Sequence, residues 1–154
     1  MIVSIAVEDS GWDQIPALEQ LTRRAVDATT ASAGVPHKKL EAAFLFTDDE
    51  AMAFLNAKWR GRAGATNVLS FPAKQGPSPK SETRPLGDIV LASGVVTREA
   101  LDQDKTLPHH TSHLIVHGLL HLLGYDHETG KEAAEMERLE ARILKELGIS
   151  DPYD

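Results

Sequence analysis

His117, His121 and His127 follow one another in the pattern H-x-x-x-H-x-x-G-x-x-H, with Gly124 as its glycine. Histidines four residues apart share one face of a helix. A glycine three residues after the second lets the chain leave that helix through a left-handed residue, so the third imidazole can return to the same point. Three neutral imidazoles suit a zinc ion and leave its fourth tetrahedral position open, whereas structural zinc sites are closed and commonly use cysteine, which this chain lacks. Without an anionic ligand the ion would keep its full charge, acidify a bound water and polarise a phosphoryl or carbonyl oxygen. The competing reading is a set of core histidines. The surrounding run (Leu114, Ile115, Val116, Leu119, Leu120, Leu122, Leu123) is so apolar that burying three unbound imidazoles in it would be costly.

The spacing is that of the metzincin peptidases, with one departure. Those enzymes carry a glutamate directly after the first histidine as general base, and here that position is Gly118. A peptidase built on this pattern lacks its proton acceptor. His113 lies one turn before His117 on the same face and reads as packing or hydrogen-bonding support rather than a fourth ligand. His109 and His110 read as exposed at the helix start, and His37 as a loop residue with no role.

The 154 residues form an ordinary globular composition, 42% apolar and 25% charged, of a length that fits one domain. The short apolar N-terminus lacks the basic flank of a signal peptide and no run reaches membrane-spanning length, so a cytoplasmic protein is expected. The net charge of −7 argues against nucleic acid only until its distribution is counted. Residues 58–84 hold six basic residues and one acidic residue, and the chain on either side is acidic. A local basic footprint is what phosphate contacts need, although a solvated basic loop would look the same.

The elements that must position the histidines follow from periodicity. Residues 2–7 read as a strand. A helix is expected from about Asp13, with Pro16 in its first turn and an end near Gly34 and Pro36. Residues 40–46 form a second strand. Thr47 and Glu50 look like a capping box opening a helix with Met52, Leu55 and Trp59 on its buried stripe, stopped by Gly61. Residues 66–71 read as an edge or terminating strand before Pro72, residues 73–85 as a loop, and residues 86–91 as a further strand in which Gly87 permits close backbone approach. Asp88 on that strand is either a hydrogen-bond acceptor for the site or an ordinary carboxylate. A helix over 95–104 precedes the histidine helix, which has Pro108 in its first turn. Thr129 and Glu132 cap a last helix striped by Met136, Leu139, Ile143 and Leu147, so Met136 reads as core. The class is α+β: a single domain, 1–154, with a small mixed sheet, packed helices and a central buried helix carrying the histidines, distantly metzincin-like.

The stretch H-G-L-L-H-L-L-G-Y-D-H, from His117 to His127, closely resembles the signature of the YbeY family of bacterial metal-dependent endoribonucleases. Asn56 and Arg60 in L-N-A-K-W-R, T-N-V-L-S-F-P at 66–72 and L-G-D-I at 86–89 also fall in the family's order, so the resemblance covers nearly the whole chain. It implies one zinc ion on His117, His121 and His127 and a catalytic Arg60 near it. It also implies a single-strand-specific endoribonuclease of 16S (small-subunit) rRNA 3′-end maturation and ribosome quality control. Its partners would be single-stranded RNA and ribosomal particles, not DNA or membrane. Asp126 and Glu128 neighbour a ligand and are candidates for general base or for orienting an imidazole. Lys58, Arg62, Ser70, Lys74, Lys80 and Arg84 are candidate RNA contacts. Where the family usually has aspartate after the strand threonine, this chain has Asn67, which preserves a hydrogen-bonding role but not a charge. The alternatives are a metzincin-like metallopeptidase and a non-catalytic, metal-containing ribosome assembly factor.

Overall fold

Four strands carry the scaffold: β1 (Ile2–Val7), β2 (Leu40–Thr47), β3 (Val68–Pro72) and β4 (Arg84–Ala92), in the sheet order β1-β2-β4-β3. The computed structural model describes residues 1–35, 40–74, 83–126, 128–150 and 152. β1, β2 and β4 run parallel, and β3 closes one edge antiparallel to β4. Parallel neighbours need a crossover, and the helices α1 (Leu18–Ser32) and α2 (Asp49–Arg60) lie in those connections. The remaining helices are α3 (Ser93–Asp102), α4 (Leu107–Leu122) and α5 (Gly130–Glu146).

Alternation along β4 divides the core. Ile89 and Leu91 join Phe44 and Phe46 in the larger cluster with residues of α1, α4 and α5, whereas Val90 and Ala92 turn to Met52 of α2. Ile115, Val116, Leu119 and Leu120 of α4 are wholly buried among α1, α3, α5 and the sheet. The sequence expectation of an α+β fold around a buried histidine helix is met. Met136 is core, as expected. Among the described residues no helix is long and apolar enough to cross a membrane.

Several local expectations are corrected. The helix expected from Asp13 is two elements, a 3₁₀ turn at Ser10–Gln14 and then α1. Pro16 drives Ile15 out of helical space (φ −117°, ψ 88°), and Trp12, buried with its indole N–H donating to the Thr47 carbonyl at 3.0 Å, anchors the turn. The cap of α2 is Asp48, which accepts from the Ala51 N–H at 2.8 Å, not Thr47, which is buried at the end of β2. Trp59 is 62% exposed, because the row turned inward is Met52 and Asn56, the latter donating to the Gly64 carbonyl at 2.9 Å. β4 begins at Arg84, inside the expected loop. Leu86 is the extra residue of a bulge against Glu41 and Ala42, an irregularity that accommodates Pro85. The rest of that loop at 75–82 lies outside the described residues, as do Pro36 and His37.

Gly87 has φ +142°, and a side chain there would run into the Phe71 carbonyl of β3. Close approach of the edge strand to β4, expected from the sequence, therefore requires this glycine.

Candidate functional site

The histidine row exists because α4 is well started and well ended. Thr106 accepts from the His109 N–H at 3.2 Å, with Pro108 in the first turn. At the other end Gly124 adopts φ +102°, and the N–H of Tyr125 returns to the Leu120 carbonyl at 3.0 Å. That turn delivers the Tyr125 carbonyl to His121 Nδ1 at 3.1 Å. His117 Nδ1 bonds Glu140 of α5, a fully buried carboxylate whose other oxygen accepts from His113 Nε2 at 3.2 Å.

A carbonyl and a carboxylate only accept, so each ring carries its proton on Nδ1 and presents a lone pair at Nε2. The two Nε2 atoms are 3.1 Å apart. Lone pairs so close repel unless a proton or a cation lies between them, and acceptor-bound Nδ1 with inward Nε2 is the arrangement of metal-ligating histidines. These two donors therefore suit a divalent ion as a pair, although among the described residues no group of three or more His, Cys, Asp or Glu side chains is placed to hold one. His127 lies outside the described residues.

Arg60 reaches the same cleft from α2. Gly61, left-handed at φ +64°, ends that helix, and the guanidinium donates to the Ser70 carbonyl at 2.5 Å while lying over the Phe71 ring at 5.6 Å. Ser70 in turn donates from Oγ to the Gly118 carbonyl at 3.0 Å. One chain of contacts thus joins Arg60, the edge strand and the residue after His117. It also accounts for the glycine: a Cβ at position 118 would stand 3.1 Å from Ile89 Cγ2 and 3.2 Å from Ser70 Oγ. Ile89 of β4 and Ser70 of the edge strand thus leave a side chain at this position little room without moving.

The cleft between α4, α2 and β3 has a volume of about 910 Å³ and an open mouth. The family described as Endoribonuclease YbeY matches residues 6–148. The chain belongs to the endoribonuclease YbeY family. Similar proteins named Endoribonuclease YbeY include one from Nitrobacter hamburgensis, 48% identical over 92% of this chain and 76% of that protein. Another, from Bartonella henselae, is 46% identical over 98% and 96% of the two chains. The solution structure of TM1509 from Thermotoga maritima has a similar fold, at a TM-score of 0.59 with 21% identity and 99% of both chains covered.

Asp126 and Glu128 line the cleft, as do Arg62 and Ser70. Among the other basic candidates, Lys58 stands outside it against Phe54 and Trp59, and Lys74 and Arg84 are exposed away from its lining. Asp88 is exposed and does not line it either. Lys80 lies outside the described residues.

His110 corrects the sequence reading. It is 3% exposed, because its position on the first turn of α4 faces α3, where its Nε2 donates to Glu99 at 2.9 Å. Burial lowers its pKa; the Glu99 hydrogen bond and charge oppose the shift, and His113 and Lys105 add to it. Asn67 donates to the same Glu99 at 3.0 Å, so an aspartate at position 67 would face a like charge. Glu140 escaped the sequence reading although it carried a signal: a carboxylate four residues after Met136 and three before Ile143, on the core face of an amphipathic helix.

Proposed function

We propose that this chain is a zinc-dependent endoribonuclease that cuts single-stranded RNA in small-subunit rRNA 3′-end maturation and ribosome quality control. Membership of the endoribonuclease YbeY family supports the reaction class. The convergence of His117 and His121 Nε2, with both Nδ1 atoms fixed by acceptors, carries the metal assignment.

His117, His121 and His127 would hold the ion, one per chain, and it would supply a Lewis-acidic centre for a phosphodiester. Arg60 binds a nonbridging phosphate oxygen through the guanidinium N–H groups that its Ser70 bond leaves open, and offsets charge that grows in the transition state. Asp126 and Glu128 are the carboxylates lining the cleft and place proton acceptors beside the substrate. Glu140 keeps the His117 ring turned so that Nε2 faces the cleft. Arg62 extends the positive wall, and glycine at position 118, where a metzincin peptidase carries glutamate, leaves the peptidase alternative without its general base.

The test is cleavage of a labelled single strand spanning the small-subunit rRNA 3′ end, set against the same RNA annealed to its complement. Wild type, chelator-treated protein and Arg60→Ala, purified identically, should differ: cutting of the single strand only, abolished by chelation and strongly reduced without the arginine. Equal cutting by all three would mark a contaminant and contradict the proposal. A folded, zinc-loaded chain that cuts neither free RNA nor ribosomal particles would favour the non-catalytic assembly role.

A further inference from the structure

The chain has six phenylalanine and tryptophan residues, and the fold sorts them into two sets. Trp12, Phe44 and Phe46 are buried together, with Trp12 edge-on to Phe46 at 5.0 Å. The other three each lie near a cation: Phe54 and Trp59 flank Lys58 Nζ at 5.8 and 5.2 Å, and Phe71 lies under Arg60 at 5.6 Å. Phe54 is 65% exposed and Trp59 62% exposed, on a helix that has cheaper residues to offer solvent.

Helical geometry connects this surface to the cleft. Asn56 and Arg60, four apart on α2, line the cleft, and Trp59 occupies the neighbouring row, three residues from Asn56. Aromatics and cations therefore alternate from the outer face of α2 to the edge strand, through Phe54, Lys58, Trp59, Arg60 and Phe71. An apolar protein partner would call for a patch without a lysine between its rings, since lysine, unlike arginine, is depleted from such cores. Flat rings interleaved with positive charge match a strand of bases and phosphates instead.

We infer that the Phe54–Lys58–Trp59 surface of α2 is a stacking platform that holds single-stranded RNA beside the scissile phosphate. The bases lie on the Trp59 and Phe54 rings, Lys58 contacts the intervening phosphate, and the strand continues past Arg60 into the cleft. The platform is indifferent to sequence, because every base has a π-face. The inference rests on the ribonuclease reading of the same cleft and adds where its substrate runs.

The experiment is fluorescence anisotropy of a labelled, 2′-O-methylated single strand of about 12 nucleotides, a length matched to such grooves. It compares wild type, Trp59→Phe, Trp59→Leu and Phe54→Leu, with melting curves to confirm folding and zinc content to confirm the site. Stacking predicts that Trp59→Leu and Phe54→Leu weaken binding about tenfold each, the range found for one stacked base. Trp59→Phe should retain most of the affinity, and exposed Trp59 should be quenched by RNA while buried Trp12 is not. Binding that ignores both leucine variants, or that treats phenylalanine and leucine alike at position 59, overturns the inference. So does a Trp59→Leu chain that binds RNA normally but loses a ribosomal protein. Cleavage of the unmethylated strand and of ribosomal particles is measured in parallel for wild type, Trp59→Leu and Phe54→Leu: equal cutting by all three removes the platform alone, and no cutting of either substrate by the wild type removes the ribonuclease reading beneath it.

Discussion

His117 and His121 face each other through Nε2 atoms 3.1 Å apart, while each Nδ1 is held by a group that can only accept a proton's bond. The two acceptors come from different places, the Glu140 carboxylate of α5 and the Tyr125 carbonyl of the turn after α4. The imidazoles are therefore oriented by a packed helix on one side and a glycine-dependent turn on the other. If these rings hold the proposed zinc ion, loss of either support should lower zinc affinity before it affects the rest of the fold.

Glu140 is the more exposed to test. Glu140→Ala should weaken zinc binding by about 10- to 100-fold, the usual effect of removing a partner that orients a ligand. Glu140→Gln, which keeps an acceptor oxygen for the His117 Nδ1–H, should fall between that variant and wild type. Zinc titration measures the affinity, and ¹⁵N shifts of the His117 ring report whether Nδ1 keeps its proton. Unchanged affinity with an unchanged tautomer in Glu140→Ala would refute the role.

Arg60 is exposed and holds the edge strand through one backbone carbonyl, so its replacement should leave the fold intact. Arg60→Lys should nonetheless lose at least about tenfold in kcat/KM for RNA. An ammonium cannot bond the Ser70 carbonyl and a phosphate with the fixed fork of a guanidinium. Steady-state cleavage with a melting curve separates this from unfolding, and a fully active Arg60→Lys would show that charge alone suffices.

Gly118 is enclosed by Ile89 and Ser70. Gly118→Ala should lower stability by about 1–3 kcal/mol, the usual range for overpacking a filled site. Urea denaturation of the alanine variant checks this, and an alanine variant as stable as wild type would show that β3 moves aside freely.

The fold and the site were legible to different depths. Histidine spacing, Gly124 and the apolar run told the form of α4, because helix faces and left-handed exits are local properties. The 3₁₀ turn at Ser10–Gln14 depended on Trp12 reaching a carbonyl 35 residues away, which no local pattern states. Trp59 fitted a buried spacing and is exposed, because a stripe specifies which residues align but not how far the sheet extends beneath them. His110 and Glu140 were missed for the same reason: a polar side chain is read as surface until its partner on another helix is known.

The His110–Glu99 pair sets a pH dependence. Burial holds the His110 imidazole below its ordinary pKa of about 6.5. The unfolded chain therefore binds the proton more readily than the folded one, and protonation favours unfolding. This group's contribution is present in full above about pH 6.5 and is lost as pH falls from there through the lowered folded value. Glu99 opposes the shift, and His113 and Lys105 add to it, so His110→Gln should flatten the slope of stability against pH below neutrality. Urea midpoints across that interval measure it; an unchanged slope in the variant would assign the dependence to other groups.

The most direct test is zinc titration of metal-free protein by calorimetry, for wild type, His117→Ala, His121→Ala and His127→Ala. One zinc ion per wild-type chain, with tight binding lost in every alanine variant while their helical content persists, is the predicted result. Wild-type stoichiometry near zero, or zinc bound equally well without His117 and His121, would contradict the claim that their Nε2 atoms converge on a metal.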